Sequence, residues 1–149
     1  MITQETELPL SPALLLAVPM VQVFINSASA DGSMLSMPLV LAQGAAALAG
    51  NAWPNVSPWV GSLGAFIAGS NTVSNMMFAY FQFSTAQQIA LNLDQSAVVV
   101  ALQAVGGAAG NMICVHNVVA AGAVVGMMNR EGEVIRKTLV PMAYYCIQA

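Results

Sequence analysis

From Gly32 to Leu93 the chain carries no acidic, basic or histidine side chain, and a short polar run, Gly69-Ser70-Asn71-Thr72-Val73-Ser74-Asn75, lies inside that stretch. Strongly apolar arms flank it, Trp59 to Ala68 before and Met76 to Phe83 after. So little charge leaves little choice of solvent. Only 6% of the residues are charged and 58% are hydrophobic, against roughly a quarter charged in soluble domains, and mean hydropathy is +0.73. This is the composition of an integral membrane protein of all-α class. In a bilayer the polar run is costly, since each backbone group released by a helix break loses on the order of several kcal/mol without a partner. Broken backbone is tolerated at that depth where protein buries it or where it lines a cavity, as at transporter sites.

Apolar length divides the chain into one membrane region over residues 1–149, with transmembrane helices about 8–30 and 33–50. Pro19 predicts a kink in the first, and Gln22 and Asn26 share one of its faces, either as a polar lining or as interhelical hydrogen bonds. The acidic start, with Glu5 and Glu7 and no Lys or Arg, is unlike a secretory signal, so the first span is expected to be retained. Asn51 to Trp59 holds two prolines and two tryptophans and predicts an interfacial loop. Residues 59–83 have the length of a plain span, yet the hydroxyls and amides at their centre favour a re-entrant helical hairpin, two half-helices meeting at a tip. Ser84 to Asp94 then returns to the interface, with Asp94 or Ser96 placed to cap the next helix.

Residues 96–128 as one helix would run about 50 Å, well beyond the roughly 30 Å of a hydrocarbon core. A broken helix is expected instead, interrupted at Gly106 to Asn111 and on through Cys114, His116 and Asn117. Gly106 with Gly110, and Gly122 with Gly126, have the spacing of close helix packing. Every Lys and Arg lies between Asn129 and Lys137, which the positive-inside rule puts in the cytoplasm. The apolar run over 138–149 is too short to cross.

A net charge of −3 with no basic patch excludes a nucleic-acid partner. Cys114 and Cys146, each within an apolar run, give neither a disulfide framework nor a metal site, and no cofactor is implied. No nucleophile stands beside a base with an orienting acid, so neither catalytic residues nor an enzyme is expected. The breaks offer binding instead. Half-helix N-termini present N–H groups and the positive end of a dipole, and Ser70, Asn71, Thr72, Ser74 and Asn75 add neutral donors and acceptors. With Gly110, Asn111 and Asn117 of the second break they form the candidate binding set for a small organic anion. His116 is the one histidine between Gly32 and Asn129, the residue type suited to proton exchange near neutral pH; it is a candidate for proton coupling, or else a hydrogen-bonded packing histidine.

Four stretches carry a resemblance to a known family: Ser36-Met37-Pro38-Leu39-Val40-Leu41-Ala42-Gln43, Gly64 to Met76, Ala101 to Ile113, and Arg130-Glu131-Gly132-Glu133. From about Val21 onward the chain resembles the C-terminal part of bacterial L-lactate permeases. The resemblance implies proton-coupled uptake of lactate, often glycolate, by a multi-pass protein of the bacterial inner membrane. More distantly, the Ser70-Asn71-Thr72 signature is similar to that of the wider ion-transporter superfamily, which implies a hairpin tip there and a broken helix at Gly110-Asn111. Some lactate permeases carry a lysine where Asn111 stands, so charge neutralisation is arranged differently here. The family has roughly a dozen spans, so the expected partners are lactate or another small monocarboxylate, a proton, the lipid bilayer and a missing N-terminal part of the transporter. A truncated or accessory membrane protein with an assembly role, without transport of its own, is the alternative.

Overall fold

Proline decides where several helices begin, because its missing N–H is harmless in a first turn and its fixed φ suits a helix start. The structure is a computed structural model that describes residues 12–29, 33–127 and 129–149. Helix α1 (Pro12–Ile25) opens on a proline, and α2 (Met37–Ala49) and α3 (Trp53–Ala68) each carry one within their first two positions. Then come α4 (Asn71–Gln88), α5 (Leu93–Gly110), α6 (Val115–Val124) and α7 (Glu131–Gln148). Among the described residues every regular element is helical.

Asn51 to Trp59 is not the loop its prolines predict. One 3-10 turn, Gly50–Ala52, leads straight into α3. Pro54 falls where an N–H would be idle, and Pro58 removes only the bond to the carbonyl of Pro54, four residues back. Trp53, expected at a headgroup boundary, is 5% exposed. Its ring meets Phe81 edge-on with centroids 5.5 Å apart, in a core completed by Ala42, Ala86 and Val99.

Helix bounds differ from the predicted spans at other points. α1 covers Pro12–Ile25, and residues 8–11 and 30 of its predicted span lie outside the described residues. Gln22 and Asn26 bond to each other, through Asn26 Nδ2 to Gln22 Oε1 at 3.1 Å. Asp94 and Ser96 do not cap α5. Asn92 does, with Gln95 closing a reciprocal capping box at 2.9 and 3.1 Å. Ser96 is buried and accepts from Gln87 Nε2 instead. α7 begins at Glu131, so the segment that holds the Lys and Arg residues forms its head, where Arg130 and Lys137 both pair with Glu133.

The bundle is closest where side chains are smallest. A Cβ on Gly61 would overlap the Gln103 carbonyl, one on Gly106 the Pro58 carbonyl, and one on Gly110 the Ser62 carbonyl, so α3 and α5 pack backbone to backbone. α4 lies across both, α2 covers α4, and α7 packs on α3, α5 and α6. The outer faces are apolar: Leu48 is 92% and Val124 87% exposed. Lipid or further protein suits such faces, and water does not. Among the described residues no single helix is long and apolar enough to cross a membrane; α5 and α6 pass that test together, bent by 43° across their break.

Candidate functional site

The first break needs two residues. Gly69 takes a left-handed conformation (φ 69°, ψ 13°) and closes α3 with its N–H on the Ala65 carbonyl at 2.7 Å. Ser70 is extended, and its Oγ accepts from Val73 N at 3.4 Å to start α4. No helical carbonyl lies upstream to take the N–H groups of Asn71 and Thr72. Asn75 Nδ2 donates to Asn71 Oδ1 at 3.2 Å, and Thr72 faces outward, exposed.

The second break runs from Asn111 to Cys114. Met112 N and Ile113 N fold back on Ala109 and Gly110 carbonyls at 3.1 and 3.2 Å, which ends α5. α6 then starts after Cys114 without a side-chain cap. Its leading N–H groups, on Val115 and its neighbours, are the second set that no upstream helix can satisfy.

The two breaks meet. The His116 ring occupies the space a Cβ on Gly69 would need. Asn117 Nδ2 reaches Asn111 O at 3.3 Å and, at the limit of hydrogen bonding, Gly69 O at 3.5 Å. Asn71 Oδ1 lies against Gly107, where a Cβ would displace it. Ser70, Asn71, Asn111, His116 and Asn117 are thereby gathered around one crossing. Cys114 joins them, its buried Sγ 3.4 Å from His116 Nδ1. Beside the crossing, Asn111, Asn117, Val118, Ala121 and Thr138 line a cavity of about 270 Å³.

Other predicted residues have different surroundings. Ser74 is 0% exposed and its hydroxyl is engaged within the protein, donating to Gly61 O at 3.0 Å. Gly110 is pressed against Ser62. Asn75 Oδ1 and Asn111 Oδ1 are buried acceptors with no donor among the described residues, an arrangement a folded protein seldom keeps without a use for it.

Sequence reasoning missed Gln82 and Gln103, both 0% exposed, which bond to each other at 2.9 Å next to Ser74. A signal was available. Gln103 stands four residues before Gly107, hence on the glycine face of α5, and Ser74 and Gln82 are eight apart on one face of α4.

A family model described as L-lactate permease matches residues 2–149. A Haemophilus influenzae protein provisionally named as an L-lactate permease is 42% identical over 118 residues, 79% of this chain and 22% of its own length. The glycolate permease of Escherichia coli K12 is 36% identical over 125 residues, covering 84% of this chain and 21% of that protein. The L-lactate permease of Bacillus subtilis is 32% identical over 136 residues, covering 91% and 22%. The chain therefore spans about a fifth of the length of these curated relatives. No solved structure matches it.

Proposed function

The chain belongs to the L-lactate permease family, and from that premise we propose that it is the C-terminal part of a secondary transporter for a small monocarboxylate, lactate or glycolate, carried with a proton across the bacterial inner membrane. The observation that carries the reading is the meeting of two interrupted helices at Gly69–Asn71 and Asn111–Asn117. Two helix N-termini supply N–H donors and positive dipole ends to a carboxylate.

A hydroxy acid suits this inventory better than a bare carboxylate. Its carboxylate only accepts, whereas its hydroxyl also donates, and Asn75 Oδ1 and Asn111 Oδ1 are buried acceptors in need of a donor. On this reading Ser70, Asn71, Asn75, Asn111 and Asn117 bind the solute together with the main-chain N–H of Thr72, while Ser74 and Gly110 hold the backbone around it. α3 and α4 form a re-entrant hairpin with Gly69–Ser70 at the tip, and α5 and α6 form a broken span. His116, seated on Gly69, carries the coupled proton, where a change in its charge is felt at the hairpin tip.

Labelled-lactate uptake by vesicles that contain the complete permease tests the reading. Uptake is expected to be saturable, competed by glycolate and driven by an inward proton gradient. Asn71→Ala and Asn117→Ala are expected to raise KM at least tenfold. Wild-type vesicles that accumulate neither solute would overturn the assignment.

A further inference from the structure

Three helices are tied through their middles by polar side chains that water does not reach. Ser57, Ser74, Gln82 and Gln103 are each 0% exposed. The Trp53 indole N–H donates to Gln82 Oε1 at 2.8 Å, and Gln82 Nε2 donates to Gln103 Oε1 at 2.9 Å. Gln103 Nε2 in turn donates to Ser74 Oγ at 3.1 Å, and the Ser74 hydroxyl donates to the Gly61 carbonyl at 3.0 Å. The second N–H of Gln82 goes to the Ser57 carbonyl at 3.4 Å. This chain of bonds has one polarity. An indole N–H only donates and a carbonyl only accepts, so turning either amide over would set donor against donor. Half-satisfied buried amides are strongly disfavoured, so the relay locks the rotation of α4 between α3 and α5.

That rotation sets the hairpin tip. Ser74 N bonds to Ser70 O at 3.0 Å, which ties the relay to the residue at the break. Asn71 rests on Gly107, one helical turn beyond Gln103 on the same face of α5. We propose that Gln103, backed by Gln82, is a positioning residue for the transport site. Through Ser74 it holds the first turn of α4 at the angle that brings Ser70 and Asn71 to face α6. Gln103 touches no solute itself. The inference rests on the transport reading above, and its test separates the two.

In vesicles containing the complete permease, Gln103→Leu removes both bonds at nearly constant shape. It is expected to raise KM for lactate at least tenfold while the amount of permease in the membrane is unchanged. Gln103→Glu keeps the acceptor for Gln82 and, when protonated, a donor for Ser74, so it is expected to approach wild type at acidic pH. A role in packing alone predicts neither the KM effect nor that rescue. A Leu variant within twofold of the wild-type KM overturns the proposal. So does a Glu variant that stays far below wild type at every pH, which also decides the matter where the Leu variant does not reach the membrane. If the wild type takes up no lactate, hydrogen exchange over residues 70–75 decides instead. Faster exchange confined to that segment in Gln103→Leu supports the relay, and unchanged exchange overturns it.

Discussion

Gly69 meets two demands that no other residue satisfies together. Its φ of 69° is in the left-handed region, and the His116 imidazole fills the place of its missing side chain. Gly69→Ala is therefore expected to lose about 1–3 kcal/mol from backbone strain alone, with a further loss as the imidazole is displaced; thermal unfolding in detergent measures it. His116→Gln is expected to flatten the pH dependence of lactate uptake, because a glutamine cannot take up the coupled proton. An unaltered profile would remove His116 from the coupling step. At this scale the residues of the two breaks could be singled out in the sequence, because Ser70, Asn71, Asn111, His116 and Asn117 are polar groups set in apolar runs. Gln82 and Gln103 went unread, since their partners lie 21 and 29 residues away in the chain and only their helical register with Ser74 and Gly107 hints at the pairing.

Between elements, the tightest constraint is the contact of α3 with α5. Gly106→Leu would drive a side chain into the Pro58 carbonyl, and the variant permease is expected to fail to accumulate in membranes. Gly44→Leu on α2, where a Cβ meets nothing within 4 Å, is expected to accumulate normally; immunoblots of membrane fractions compare the two. Legibility was uneven here as well. The break at Gly69–Ser70 could be read because a left-handed glycine followed by a hydroxyl cap is a local code. The start of α3 could not, because Pro54 and Pro58 mean different things according to their distance from a helix start that the turn at Gly50 decides (φ 49°). At the head of α7, ahead of its apolar part, hydrogen bonds from Lys137 and then Arg130 hold the Glu133 carboxyl below its usual range. A depressed carboxylate pKa contributes support that is complete above the unfolded value and is lost as pH falls through the folded one. The pairing at this end of α7 should thus survive from neutrality to below about pH 4.3, the ordinary glutamate value. A carboxyl NMR titration of Glu133 with its midpoint at or above that value would contradict this.

For the molecule as a whole, the apolar exterior and the paired helix breaks belong to one design. Exposed Leu48 and Val124 suit a bilayer or further protein, while Ser57, Ser74, Gln82 and Gln103 turn inward to the relay. Composition alone was enough to read the exterior. How the two breaks meet depends on the bend between α5 and α6 and on glycine contacts across α3, which only the folded chain reveals. The central claim is that these breaks together hold a small carboxylate. An experimentally determined density map of the complete permease with lactate tests it most directly. Helices interrupted at Gly69–Ser70 and at Asn111–Cys114, with solute density between them, are the expected result. Unbroken helices through either place, or lactate bound elsewhere, would contradict it.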